Sequence, residues 1–262
     1  MKTKLVTLSS LKGHHHPASK LFRTIELQAV FNNTKRITFQ KPSMDLGGGD
    51  GYLSSVLFNS KFTYNVDNGE AKDLHIAKRT KRYHHILLES AEQMSLRSHS
   101  LKFVFSNSVI EHIPDVDAVL RETARVLQKG GYFVFTSPSH NFKEYLFVSA
   151  LLERWGLGVL AKVYKRMRNN MLNHYHNYSH TEWTRRLKKY GLRVEKYQYY
   201  ISKETCMLWD WIALETRVRS LFDKNAEKHA FNKYKEIIEQ AIESDAVSGS
   251  KGASVFILAK KV

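Results

Sequence analysis

Apolar positions recur at helical spacing from residue 17 to 33, where Ala18, Leu21, Phe22, Ile25, Ala29 and Val30 would share a face. From there to residue 136, short apolar runs alternate with helical patterns. The runs at about 37–46, 62–67, 83–89, 101–106 and 131–136 predict strands, and those at about 70–80 and 116–128 predict helices. Gly130-Gly131 marks the break before the fifth strand. Such alternation means βαβ units and a parallel sheet. After Pro138 the pattern changes. A long helical region is predicted at about 143–168, then a helix at 182–190 ending at Gly191, and strands only at 193–200 and 253–260. Between those last strands 209–222 and 231–242 read as helices, and Ser248 to Gly252 as a flexible turn. There is no internal repeat.

The stretch around which this order turns is Met44 to Tyr52, M-D-L-G-G-G-D-G-Y. Its glycines, 47, 48, 49 and 51, lie between a predicted strand and a helix carrying Leu53, Val56 and Leu57. Strand, glycine turn, helix lets backbone N–H groups approach a ligand, because no Cβ blocks the way. A dinucleotide loop needs G-x-G-x-x-G, and here Tyr52 stands where the third glycine belongs, which disfavours a nicotinamide oxidoreductase. What fits is D-x-G-x-G-x-G, on Asp45, Gly47, Gly49 and Gly51, with Gly48 inside it. That pattern closely resembles class I S-adenosylmethionine-dependent methyltransferases. The resemblance implies S-adenosylmethionine as cofactor, with Asp45 suited to its cationic and zwitterionic end. The bland alternative is a tight turn with no ligand.

Further motifs test the resemblance. Asp67 ends the second predicted strand and could accept from two ribose hydroxyls. Glu89-Ser90-Ala91-Glu92 resembles the G-D-A-E of the type 11 methyltransferases, a group that includes quinone-biosynthesis enzymes. Ala91 and Glu92 match it. Ser90 replaces the family's adenine-binding aspartate and, being neutral, accepts more weakly. Phe105 to Ile113, F-S-N-S-V-I-E-H-I, is similar to the family's F-S-N-x-V-L-E-H-V and implies Asn107 beside the methionine part of the cofactor. Arg125-Val126-Leu127 followed by Gly130-Gly131 resembles the family's turn into strand five. These matches run in order over about 41–138.

The resemblance implies an α/β fold: a seven-stranded, mostly parallel Rossmann-like sheet, helices on both faces, the last strand antiparallel, and a helical lid after strand five. The chain then reads as a single domain: an N-terminal helical arm (1–36), a cofactor-binding core (37–140), the lid (141–190), and a C-terminal part (191–262) completing the sheet.

Charge adds a second theme. The net charge is +16, yet residues 41–140 and 201–262 carry only +1 each. Residues 1–40 carry +6 and residues 141–200 carry +8. Two basic surfaces suit an anionic substrate, nucleic acid or a membrane face; solvated basic helices are the plain alternative. The lid also crowds Tyr145, Phe147, Leu151, Trp155 and Leu160 near Lys162, Lys165, Arg166 and Arg168. Glu153 and Arg154 interrupt the run, so it is too short to span a bilayer but could lie in an interface. A lone Cys206 excludes an internal disulfide and a cysteine-built metal site, and fits a reducing compartment. The expected location is cytoplasmic, with peripheral contact at the inner face of a membrane.

His174, His176 and His180 lie in the later part of the lid range, but their spacing matches no standard zinc pattern, so no metal is expected. The candidates for a general base are His112, His140 and His176. The expected activity is in-line methyl transfer from the sulfonium to a small-molecule or lipid- or sugar-linked acceptor, with the charge favouring an anionic one. A nucleic-acid methyltransferase is disfavoured because the N/D-P-P-Y/F tetrapeptide is missing. A non-catalytic cofactor-binding protein remains the other alternative.

Overall fold

The computed structural model describes residues 1–13, 16–69, 71–245 and 251–262. His14 and His15, Glu70 at the predicted start of its helix, and Ser248 to Ser250 of the predicted turn lie outside them.

Seven strands form one sheet: β1 (Ser43–Leu46), β2 (Phe62–Val66), β3 (Tyr83–Leu87), β4 (Leu101–Asn107), β5 (Leu127–Pro138), β6 (Leu192–Tyr200) and β7 (Ser254–Lys261). Their order across the sheet is β3-β2-β1-β4-β5-β7-β6. Strands β1 to β5 pair in parallel, and β7 runs antiparallel to both β5 and β6. The order reverses between β1 and β4, and open sheets of this kind bind ligands at such a switch point, outside the carboxyl ends of the strands.

Two apolar layers cover the sheet. One lies under α1 (Pro17–Thr34), α8 (Lys203–Arg219) and α9 (Ala226–Asp245) and contains Leu21, Ile25, Phe103, Phe105, Ile212 and Ile238. The other lies under α4 (Val116–Val126) and α7 (His180–Lys189), where Trp183 is fully buried and packs edge-on to Phe135 at 5.0 Å. Pro17 opens α1, where its fixed φ suits the first turn and its missing N–H costs nothing. The helices α2 (Tyr52–Leu57) and α3 (Ala71–Thr80) complete the cofactor half.

Several predicted bounds need correction; the helices read at 209–222 and 231–242, for instance, are Lys203–Arg219 and Ala226–Asp245. The first strand occupies only Ser43–Leu46, not 37–46. Pro42 has no N–H for a ladder, and Phe39 instead turns into the core, stacked on Phe103 at 3.9 Å. The helix predicted to 128 ends at Val126, and β5 already begins at Leu127 opposite Leu101. Gly130, at φ +81°, sits inside that strand where the pairing slips. The single long helix at 143–168 is two helices, α5 (Phe147–Arg154) and α6 (Gly158–Met171), broken by Gly156 at φ +73°. Ser149 and Ala161 are their only buried residues, so most of the α5–α6 surface faces solvent. The lid is pinned at α6: Arg168 pairs with Asp210 of α8 at 2.9 Å, and the Tyr164 hydroxyl donates to the same carboxylate. By contrast α7, inside the expected lid range, belongs to the sheet's second layer.

Candidate functional site

The glycine loop follows β1 and is held by backbone bonds and by side chains of the neighbouring strands, Asn65 and Tyr83 among them. Gly47 N–H donates to Val66 O at 2.8 Å and Gly51 N–H to Gly48 O at 2.8 Å. Gly49 N–H donates to Asp67 Oδ2 at 2.7 Å, so the second strand's carboxylate reaches the loop directly. Gly49 adopts φ +52°, which disfavours any side chain, and a Cβ there would point into open space. At Gly48 the reason for glycine is contact: a Cβ would lie 2.4 Å from the Tyr83 hydroxyl and 2.6 Å from Asp45 Oδ2.

Asp45 lies beneath this loop, 1% exposed. Its Oδ2 accepts from Ser54 Oγ and from the Tyr83 hydroxyl, at 2.6 Å for the latter. The carboxylate thus ties the first turn of α2 and the start of β3 to the loop. Burial pushes its pKa up to about 6, against the two hydrogen bonds, and the charge of Asp67 adds to the rise.

Two cavities flank the loop. One, of about 610 Å³, is lined by Arg23, Asp45, Gly47 to Gly49 and Asn107, among others. The second, of about 420 Å³, holds Asp67, Ser90, Ala91 and Glu92 and shares Gly47 and Val109 with the first. Of the ten residues expected at the cofactor, nine line these two cavities and Gly51 does not. Ser90 Oγ donates to Glu92 Oε2 at 3.1 Å and accepts from Glu92 N–H.

Glu26 of α1 was not among the expected residues, although it is the sole acid in the first forty positions and interrupts an apolar helix face. It is fully buried. Its Oε2 accepts from Arg23 at 2.5 Å and Asn107 Nδ2 at 2.8 Å. Its Oε1 accepts from Ser108 Oγ at 2.5 Å, Thr136 Oγ1 at 3.1 Å and the Tyr200 hydroxyl at 3.2 Å. One carboxylate thereby fastens α1 across the ends of β4, β5 and β6. Burial opposes its charge, but Arg23 and these donors outweigh burial and hold its pKa below the ordinary range.

A third cavity, of about 250 Å³, opens beside Arg23 and Ser108, which it shares with the first. Phe22, Phe142 and Trp209 give it aromatic walls, and Glu111, His112 and His174 line it too. Glu111 is 1% exposed, and burial pushes its carboxyl up to about 8. Burial and the nearby His112, Lys143 and Arg23 charges push His174 down to about 3.

The three histidines named as bases fall in different places. His112 lines the third cavity, with Nδ1 3.1 Å from Asn173 O. His176 has both ring nitrogens engaged: Nε2 lies 2.9 Å from Ile113 O, and Nδ1 3.0 Å from the Tyr178 hydroxyl. His140 is exposed, with its ring 6.1 Å from Tyr199, and lines none of these three cavities.

Residues 44–135 match the family model described as a methyltransferase domain. Over 142 residues the chain is 25% identical to the ubiquinone biosynthesis O-methyltransferase of Vibrio atlanticus, covering 52% of this chain and 59% of that protein. Its counterpart in Vibrio cholerae is 26% identical over 142 residues, covering 52% and 57%. The match thus spans less than two thirds of these relatives' length. Among solved structures, a possible histamine N-methyltransferase from Thermotoga maritima superposes with a TM-score of 0.56 at 18% identity, covering 94% of this chain and 91% of that one. Geranyl diphosphate C-methyltransferase from Streptomyces coelicolor gives 0.56 at 14% identity, covering 100% and 89%. At these identities the structural likeness speaks for the fold.

Proposed function

We infer, from the match of residues 44–135 to a methyltransferase domain, that the chain transfers a methyl group from S-adenosylmethionine to a small, amphipathic, anionic acceptor. The observation that carries the reading is the open loop at Gly49, whose N–H meets the Asp67 carboxylate between two connected cavities. The space a Cβ would fill there is the space a close-lying nucleoside needs, so the residues fit the cofactor. Asp67 would accept from the ribose hydroxyls, Ser90 would face the adenine, and Arg23 with Asn107 would face the amino-acid end. When bound, the cofactor supplies an electrophilic methyl group on sulfur. The chain's own part is to align the two reactants and exclude water.

The acceptor side supports an aromatic or amphipathic substrate carrying negative charge. Phe22, Phe142 and Trp209 wall the third cavity, and Arg23 stands between it and the loop. The named relatives act in ubiquinone biosynthesis by O-methylation, and a ring hydroxyl on a quinone-like acceptor is compatible with this pocket. In this reading α1 and the lid residues Phe142, Leu172 and His174 border the acceptor, and the whole chain works as one domain.

A peripheral contact with an anionic membrane extends the reading. No helix among the described residues is long and apolar enough to cross a membrane. Yet Trp155 (65%), Val159 (77%) and Val163 (60%) are largely exposed on α6 and the turn before it, with Lys162 and Arg166 exposed beside them. Lys165 and Arg168 are instead engaged in ion pairs with Glu153 and Asp210. Burying apolar side chains beside basic ones suits a surface of anionic head groups.

Incubating the protein and methyl-labelled cofactor with cell extract, followed by an untargeted search for labelled products, tests the activity. A labelled, anionic, extractable small molecule is expected; label only in nucleic acid, or nowhere, contradicts it. Flotation with liposomes of rising anionic lipid content tests the membrane contact. Trp155→Glu with Lys162→Glu should lose binding, and a wild type that stays in solution at every composition refutes this part alone.

A further inference from the structure

Residues far apart in the sequence converge behind the aromatic cavity. Glu111 and His112 lie on a short 3-10 turn after β4, and His174 lies on the loop after α6. Each offers one ligand atom, and these atoms all lie within 4.8 Å of one another. Glu111 Oε1 is 3.9 Å from His112 Nε2. Glu111 Oε2 and His174 Nδ1 are buried and make no hydrogen bond. A carboxylate that is 1% exposed with a free oxygen normally has a partner. From this geometry we propose that Glu111, His112 and His174 form a binding site for a divalent transition-metal ion.

The support around the three side chains is that of a metal site. His112 Nδ1 lies 3.1 Å from Asn173 O, so that nitrogen carries the proton and leaves Nε2 with a free lone pair. Ligating histidines are held in this way by a carbonyl at the far nitrogen. Tyr175 N–H donates to Glu111 O at 2.8 Å, and Asn169 Nδ2 donates to His174 O at 2.6 Å, so the loop is fixed beside the turn. Around one zinc ion, ligand atoms at about 2.0–2.2 Å stand roughly 3–3.6 Å apart. The present separations, 3.9 Å for Glu111 to His112 and within 4.8 Å for all three, are slightly wider than that.

The ligand set also selects the ion. Two imidazoles and one carboxylate suit zinc or its neighbours, whereas magnesium prefers oxygen ligands. The basic groups nearby are Arg23 and Lys143. Arg23 is neutralised by Glu26 at 2.5 Å, so the site is less hostile to a cation than the surface charge suggests. His176 and His180, the other members of the sequence cluster, are occupied elsewhere, at Ile113 O and at the Tyr199 hydroxyl. Three protein ligands leave a fourth position, and the three residues line the aromatic cavity, so an oxygen donor of an acceptor could take it. Because His174 lies in the lid, on the loop after α6, and the other two follow β4, the ion would also join lid to core.

The test needs no turnover and stands apart from the methyl-transfer reading. The full chain is stripped with a chelator and titrated with zinc by calorimetry, and bound metal is counted by elemental analysis after gel filtration. One zinc per chain is expected, with Kd at or below about 1 µM. Glu111→Gln and His174→Asn should each weaken binding at least about tenfold with unchanged circular dichroism, while His174→Cys, which keeps a ligand, should retain it. His140→Asn, at an exposed ring outside the cluster, should bind as wild type does. Magnesium should bind at least about a hundredfold more weakly than zinc. Absence of zinc on folded wild type, undiminished binding in both Glu111→Gln and His174→Asn, or equal affinity for magnesium would overturn the proposal.

Discussion

Residues 44–67 make the glycine loop and its partner carboxylate from one strand–turn–helix–strand stretch. The neighbouring aromatic cavity instead draws on His16, Phe22 and Arg23 near the N-terminus, Glu111 and His112 after β4, and Phe142, His174 and Trp209. The glycine loop of the first region is held by backbone and side-chain hydrogen bonds to residues no more than 35 positions away. The second is held by side chains, above all by Glu26, whose five donors come from α1, β5, β6 and the end of β4. A site built from one local stretch tolerates change elsewhere in the chain, while a site assembled from distant elements depends on the contacts that assemble it.

The largest expected effect probes that dependence. Glu26→Ala leaves Arg23 unpaired and strands Asn107, Ser108, Thr136 and Tyr200. Removing one partner of a buried ion pair costs about 3–5 kcal/mol, so urea denaturation should show a loss of that order. A loss under about 1 kcal/mol, the size expected of a surface pair, would mean that α1 is held by its apolar face alone and the comparison fails.

A somewhat smaller effect belongs to the local side. The folded-state pKa of Asp45, about 6, lies above its ordinary value of 3.8. The folded protein therefore binds this proton more tightly than the unfolded chain does. The stability it contributes is complete below about pH 4 and is lost as pH rises through about 6. Across that window wild type should lose on the order of 3 kcal/mol relative to Asp45→Asn, whose carbonyl can still accept from Ser54 and Tyr83. Parallel denaturation curves from pH 4 to 7 check this; a constant difference between the two proteins contradicts it.

The same contrast explains what the sequence made legible. The glycine loop could be read from spacing, and Asp67, the Ser90 to Glu92 stretch and Asn107 through the family resemblance, because all follow strands of consecutive βαβ units; the structure gathers them at the two cavities beside the loop. Asp45 was expected to face the cofactor's amino-acid end, whereas the structure has its buried carboxylate gripping Ser54 and Tyr83 beneath the loop. Glu26 was missed because its partners lie 81 to 174 positions away, apart from Arg23. Its one local signal was a lone acid among Thr24, Ile25 and Leu27, all buried. His174 stood out as one of three clustered histidines, but periodicity cannot show that it leaves that cluster for Glu111 and His112, 62 positions earlier in the case of His112. The split of the lid at Gly156 was visible as a glycine but not as a break, since helical spacing resumes at once beyond it.

The smallest effect sharpens the local side. Ser90→Asp places a charged acceptor in the cavity that holds Asp67. Charged hydrogen bonds are about twice as strong as neutral ones, so affinity for S-adenosylmethionine should hold or rise. A fall beyond about tenfold, or ~1.4 kcal/mol, would remove Ser90 from the adenine position.

The most direct test of the central claim is calorimetric titration of S-adenosylmethionine and S-adenosylhomocysteine into wild type and Gly49→Val. Gly49 sits at φ +52° with open space where a Cβ would project. Valine therefore both strains the loop and fills the space assigned to the cofactor. Both ligands should bind wild type, and Gly49→Val should weaken each by about a hundredfold or more, ~2.7 kcal/mol. No heat with either ligand on folded wild type, or equal affinity in the variant, would contradict the account.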